Sequence, residues 1–221
     1  MIADRRVLLT GGAGGIGAAI AAEYAPRAVI WSRRHGVDAG DEASVTRAAE
    51  ALLADGGAPY AIVHCVGDFD ERPLLHSDFA FWRWMLDSNL TSAFLTARAL
   101  VPAMVAARRG RVLFFSAAGA DDGTAKTRAP VYFAAKAALC SLARSLAREV
   151  APSGVTVNVL SPGIIRHPDS HAASQDRIGP TVPLGREGTP RDLLGAVRRL
   201  LGGEGAYLTG ANLTIDGGLS A

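Results

Sequence analysis

Tyr132 and Lys136 stand four residues apart in Tyr132-Phe133-Ala134-Ala135-Lys136. On a helix that spacing places a phenol and an amine on one face. An ammonium beside a phenol favours the phenolate and lowers its pKa from an unperturbed value of about 10. A phenol tuned in this way can give a proton to a carbonyl oxygen as a hydride reaches the carbon, or take one in reverse. Tyr and Lys at this interval are also common on helix surfaces, so the pair alone decides little. A second stretch carries different chemistry. Thr10-Gly11-Gly12-Ala13-Gly14-Gly15-Ile16-Gly17 directly follows the apolar run Val7-Leu8-Leu9 and opens a helical pattern. Its glycines permit a tight turn and a close approach of backbone to a pyrophosphate. Free N–H groups and the positive end of the helix would then hold the anion. A glycine turn without a ligand is the bland alternative, and the strand before it and apolar helix after it argue against that.

The elements that must position these residues follow from the pattern of apolar runs. Strand candidates are Arg6 to Leu9, Ala28 to Trp31, Ala61 to Cys65, Gly110 to Phe115, Thr156 to Leu160 and Asn212 to Ile215. Several are continuous Val/Leu/Ile/Phe runs, as in strands buried on both faces. Helix candidates are Gly15 to Tyr24, Asp41 to Ala54, Phe79 to Arg108, Tyr132 to Val150 and Arg191 to Leu201. Strand and helix in alternation give an α/β, Rossmann-like doubly wound parallel sheet with right-handed crossovers. A length of 221 residues fits one domain, residues 1–221. The polar stretch Arg166 to Pro183 reads as a substrate loop within it.

These motifs resemble the short-chain dehydrogenase/reductase (SDR) family, in its branch with a single compact domain. Gly11, Gly15 and Gly17 match its TGxxxGxG turn and Tyr132/Lys136 its YxxxK pair, and the resemblance covers nearly the whole chain. The layout is most similar to 3-oxoacyl-carrier-protein reductases. The resemblance implies that Asn89, Ser116, Tyr132 and Lys136 are catalytic. Ser116, at the end of the Arg111–Phe115 run, would bond the substrate oxygen. Asn89 would kink the long helix and hold a water in a proton relay, and Lys136 would also bind the nicotinamide ribose. Implied cofactor contacts are Thr10, Gly11, Gly15, Ile16, Gly17, Ser32, Arg33, Arg34, Asp38, Gly67, Tyr132, Lys136, Pro162, Gly163 and Ile165, with Asp38 near the adenine. No metal is implied. The helices Phe79 to Arg108 and Tyr132 to Val150 resemble those that pair subunits in the family, so a homotetramer or homodimer is expected.

The chain also departs from the family. His64-Cys65-Val66-Gly67 stands where Asn-Asn-Ala-Gly is usual, which puts local bracing of the sheet in doubt. His167 occupies the place of a Thr that often bonds the carboxamide. The Ser116 to Tyr132 interval is longer than usual, the extra residues falling in the polar loop Asp121 to Ala129. Only Ser32 to Gly36 separate Trp31 from Val37, whereas a parallel crossover takes about a dozen residues. The helix between the family's strands two and three must therefore be missing, and strand three can be no more than a stub. Ser32-Arg33-Arg34 offers guanidinium groups where NAD enzymes of this fold place an acid, which favours NADP(H) with NAD(H) possible.

Composition narrows the field further. Hydrophobic residues make up 49% and charged residues 20%, as in soluble globular proteins. Basic and acidic residues number 23 and 21, a balance that gives no nucleic-acid or membrane surface. The two cysteines, Cys65 and Cys140, sit in apolar stretches and read as buried free thiols. The apolar run at the N-terminus is too short for a signal peptide, so the cytoplasm is expected. The leading reading is an NAD(P)-dependent oxidoreductase acting on a small-molecule ketone, 3-oxoacyl compound or secondary alcohol. The alternative is a non-catalytic dinucleotide-binding sensor or scaffold. A sugar-nucleotide epimerase ranks last, because few residues follow Pro162 to build a substrate domain.

Overall fold

Alternation within each short strand is what builds the two-sided core. In β1 (Val7–Thr10), Val7 and Leu9 face one layer of helices while Leu8 faces the other. The same period of two holds for β3 (Ala61–His64) and β4 (Gly110–Phe115), whose residues are buried on both faces. With β2 (Ala28–Trp31), β5 (Val155–Pro162) and β6 (Asn212–Ile215), they form a six-stranded, all-parallel sheet in the order β2-β1-β3-β4-β5-β6. This computed structural model describes residues 5–168 and 181–221. The six expected full strands and the doubly wound architecture are present.

One face is covered by α1 (Gly15–Tyr24) and α6 (Pro190–Leu201), clasped by an Arg198–Glu23 ion pair at 2.9 Å. The other is covered by α2 (Glu42–Gly56), α4 (Ser92–Ala106) and α5 (Pro130–Val150). Side chains fix the helix starts. Asp41 caps α2 by accepting from Ser44 N at 2.7 Å, and Thr189 with Asp192 forms a capping box at α6.

The stretch expected as one helix from Phe79 to Arg108 is three pieces: α3 (Phe79–Leu86), a π-helical turn (Asp87–Thr91) and α4. Asn89 lies at the centre of the π turn. Its Nδ2 donates to Met85 O at 3.0 Å, occupying the carbonyl four residues back that an α-helical amide would use. The backbone ladder slips by one residue around it. By length and composition Phe79–Ala106 could cross a membrane, its most apolar 18 residues having a mean hydropathy of 1.2, but half of those 18 are buried inside the protein.

Between β2 and α2 the crossover helix is missing, as the short connection requires. The stub strand is also missing: among the described residues, 36–41 add nothing to the sheet. The connection is not featureless, because Arg33–His35 form one turn of 3-10 helix where no helix was expected. Gly36 reverses the chain at φ 77°, and Val37 N returns to Ser32 O at 3.0 Å. A single tight turn thus satisfies locally the backbone groups that a strand would have paired. With no helix there, a shallow depression runs along α1 and β2. Ala18, Ala21, Ala22, Ala25, Ala28 and Ile30 line it, and Gly12, Ala13, Arg34 and His35 stand at its end.

Candidate active site

The carboxyl ends of β1, β3 and β4 bring the sequence motifs together, where parallel α/β sheets bind their ligands. Thr10 ends β1 and is fully buried; its Oγ1 lies 2.7 Å from His64 Nδ1 at the end of β3. His64 Nε2 lies 3.1 Å from Ser92 Oγ. Ser92 gives its single proton to Ser88 O at 2.7 Å, so Nε2 must be the imidazole donor and Nδ1 the acceptor from Thr10. The ring is neutral, as this tautomer requires, because burial together with the nearby Lys136 charge pushes its pKa down to about 3. His64 thus bridges Thr10 and Ser92 at the place where asparagine bracing was expected to be lost.

Gly11 has φ 74°, and a Cβ there would meet Cys65 C at 2.9 Å; at Gly17 a Cβ would meet Gly11 O at 2.4 Å. The turn therefore closes tightly on the end of β3. Gly14 caps α1 without any side chain, and Ile16 packs partly into the core. The ring of His167 lies across the turn, 3.2 Å from where a Cβ on Gly15 would stand.

Lys136, on α5, is buried, and its Nζ donates to Phe115 O at 2.9 Å. Burial pushes its pKa down to about 8. A Cβ on Gly67 would stand 2.8 Å from Lys136 Nζ and 2.5 Å from Asn89 Oδ1, so both polar groups converge on the open face of that glycine. Asn89 Nδ2 is spent on Met85 O and Asp68 O, whereas its buried Oδ1 has no hydrogen-bond partner among the described residues. Tyr132, one turn before Lys136, packs edge-to-face against Phe69 with ring centroids 4.9 Å apart. The expected lowering of its pKa is absent. Lys136 Nζ lies 5.7 Å from the centre of the Tyr132 ring and is committed to Phe115 O, so burial dominates and pushes the phenol up from 10.0. Ser116 Oγ donates to Lys136 O at 3.1 Å, on the same helix.

The remaining candidates lie around this centre. Pro162 ends β5, and Gly163 is required by the Asp216 turn, since a Cβ there would stand 2.6 Å from Asp216 Cβ. Ile165 pairs with Gly188 in an isolated bridge, and Arg166 forms an ion pair with Glu187 at 2.8 Å. Ser32 Oγ is tied to His35 Nδ1 at 2.7 Å, while Arg33 and Arg34 are exposed and make no ion pair among the described residues. Asp38 is exposed, its carboxylate accepting from Gly40 N at 2.9 Å. Most of the expected substrate loop, including His171, lies outside the described residues. The extra Asp121–Ala129 segment is tied down by Asp121–Arg144, Asp122–Lys126 and Arg128–Glu71 ion pairs. Two residues were missed by sequence reasoning. His35 extends the basic run Arg33-Arg34-His35, which was visible; Phe69 on Tyr132 had no signal, because loop packing has no period.

Fit to a dinucleotide follows from these observations. Gly67 is a cradle that a Cβ would fill, with the buried Asn89 Oδ1 and Lys136 Nζ beside it, and the glycine turn stands at the N-terminus of α1, the positive end of the helix. Residues 16–220 match the family model described as enoyl-(acyl carrier protein) reductase. The chain belongs to the short-chain dehydrogenase/reductase family. It is 35% identical over 183 residues to the Escherichia coli 3-oxoacyl-[acyl-carrier-protein] reductase FabG, covering 81% of this chain and 74% of that one. An uncharacterized oxidoreductase of Schizosaccharomyces pombe is 31% identical, covering 100% and 92%. A short-chain type dehydrogenase/reductase from Mycobacterium ulcerans superposes with a TM-score of 0.86 at 26% identity, over 98% of this chain and 90% of that one. This SDR is accordingly an oxidoreductase related to 3-oxoacyl-carrier-protein reductases.

Proposed function

We propose that this SDR reduces a ketone or 3-oxoacyl-type carbonyl with NADPH, with Tyr132 as the proton donor. The observation that carries the reading is the convergence of Lys136 and Asn89 on Gly67, one helical turn from Tyr132. A bound nicotinamide dinucleotide supplies the hydride. The chain's own residues hold it, orient the carbonyl and move a proton. The glycine turn at the start of α1 receives the pyrophosphate. Lys136 holds ribose hydroxyls, and its charge stabilises negative charge on the Tyr132 oxygen as the proton leaves. Ser116 donates to the carbonyl oxygen. Asn89 Oδ1 accepts from a water that returns the proton from solvent. Burial keeps Tyr132 protonated at neutral pH, the form from which a proton can be given.

Arg33 and Arg34, exposed and without ion-pair partners among the described residues, supply the preference for a 2′-phosphate. A non-catalytic sensor has no use for an ammonium and an amide gathered at one glycine, with a phenol one helical turn away. Cytoplasmic residence belongs to the same reading, since Cys65 and Cys140 are free thiols. So does self-association: Phe79, Trp82, Trp84 and Phe94 are exposed on α3 and α4, an apolar surface that a second copy would cover. The test is NADPH oxidation across ketones, 3-oxoacyl thioesters and sugars, with the mass in solution read by light scattering. Tyr132→Phe should lose at least about a hundredfold in turnover while still binding cofactor. A Tyr132→Phe protein with ordinary turnover removes the phenol from the mechanism.

A further inference from the structure

Behind Ser116 runs a chain of side chains that nothing in the mechanism above uses. Ser161 Oγ, on β5, donates to Asn212 Oδ1, on β6, at 2.6 Å. Asn212 Nδ2 donates to Cys140 Sγ at 3.7 Å, and Cys140 Sγ donates to Ser116 Oγ at 3.3 Å. Ser116 passes its own proton to Lys136 O at 3.1 Å. Cys140 stands one turn beyond Lys136 on α5 and is fully buried, as is Ser161 almost entirely. The thiol and the Ser116 hydroxyl have one proton each, so from Asn212 on β6 the links run in one direction, through Cys140 to Ser116 at the end of β4.

That direction restricts Ser116. A hydroxyl that accepts from Cys140 cannot also donate to it. Its proton has two destinations left: the Lys136 carbonyl and the substrate side. We propose that Cys140, aligned by Asn212 and Ser161, is a positioning residue that keeps Ser116 as a hydrogen-bond donor to the substrate oxygen. The thiol suits this task because burial raises its pKa, so it stays a donor across the working range. An apolar filler of the same size would fill the space but leave Ser116 free to turn its proton into the vacated direction.

The proposal rests on the reductase reading, and two measurements separate their failures. The first is kinetic. Cys140→Val keeps the volume and loses the donor; Cys140→Ser keeps a donor. Cys140→Val should lose about fivefold to tenfold in kcat, with KM within about twofold, the range of one hydrogen bond. Cys140→Ser should stay within about twofold of the parent. In a Ser116→Ala background, Cys140→Val should have no further effect on kcat, because it acts only through Ser116. Equal kcat for Cys140→Val and the parent, or an additive loss in the double variant, overturns the proposal. The second measurement needs no activity. With Cys65→Ala leaving one thiol, the Cys140 S–H stretch in the infrared should move to higher frequency in Ser116→Ala. An unchanged stretch overturns the proposal even if no carbonyl is ever reduced. A parent protein inactive on every carbonyl sinks the reductase reading alone.

Discussion

Gly67→Ala adds one methyl group at the point where the proposed proton machinery meets the cofactor. The new Cβ would stand 2.5 Å from Asn89 Oδ1 and 2.8 Å from Lys136 Nζ. Real Cβ contacts stay beyond 3.0 Å, so the amide oxygen must retreat by at least about 0.5 Å and the ammonium by about 0.2 Å. Both are ends of side chains, so the backbone can stay. Asn89 is pinned by its bonds to Met85 O and Asp68 O, and Lys136 by Phe115 O. The methyl therefore strains the polar groups, and misplacement on the order of 1 Å costs about a hundredfold in rate. The expected result is a fall in kcat of about tenfold to a hundredfold, with thermal stability reduced by no more than about 2 kcal/mol. NADPH oxidation at saturating cofactor measures the first and thermal unfolding by circular dichroism the second. Gly195→Ala is the control: its Cβ meets nothing within 4 Å, it lies in α6, and it should stabilise by up to about 1 kcal/mol. Gly67→Ala with kcat within twofold of the parent would falsify the account of Gly67 as the meeting point.

Three further outcomes are expected. Arg33→Ala with Arg34→Ala should narrow the gap between NADPH and NADH affinity, read by nicotinamide fluorescence; an unchanged gap removes the guanidinium groups from phosphate selection. His64 has a folded pKa near 3 against 6.5 unfolded, so the unfolded chain binds the extra proton in that window and stability is lost as pH falls from 6.5 toward 3. From pH 7.5 to 5 the loss should be about 2 kcal/mol in denaturant titrations, and His64→Asn should remove most of that slope. Lys136 is pushed from 10.5 to about 8, a penalty of about 3 kcal/mol at neutral pH against a hydrogen bond to Phe115 O of about 1 kcal/mol. Lys136→Met should abolish turnover and raise stability by about 1–2 kcal/mol; a destabilised Lys136→Met contradicts the burial argument.

The strands were legible because each is a short apolar run closed by glycine, proline or polar residues, and the parallel sheet follows from their alternation with helices. The missing crossover was legible by arithmetic alone, since Ser32 to Gly36 cannot cross a sheet edge twice. Its replacement was not, because a 3-10 turn at Arg33–His35 depends on Gly36 adopting φ 77° and on the Val37 to Ser32 return bond. The break at Asn89 was implied by resemblance, but its form as a π turn depends on which carbonyl the side chain takes. The glycine turn and the YxxxK pair were legible as types at a spacing. The electrostatics were not: spacing put an ammonium near a phenol, while the fold sends Lys136 Nζ to Phe115 O and lets burial decide the Tyr132 pKa. Phe69 and the Cys140 chain depend on long-range packing, for which the sequence carries no period.

His64 shows why a residue that departs from the family pattern can still serve the site. The position needs one acceptor for Thr10 and one donor for Ser92, which an asparagine amide supplies. A neutral imidazole has the same inventory, one acceptor and one donor, on opposite sides of a rigid ring. A protonated one has two donors, and Thr10 would have to turn its own proton away and accept instead. The protonated ring would also add a positive charge to a region where Lys136 is already buried. The Ser92 proton, committed to Ser88 O, fixes the tautomer, and the Lys136 charge opposes protonation. Thr10, at the mouth of the glycine turn, is thus held by a group that behaves as an amide from neutral pH down to the acid range. Bracing therefore depends on hydrogen-bond inventory rather than residue type, and His64→Asn should keep the turn while abolishing the acid sensitivity.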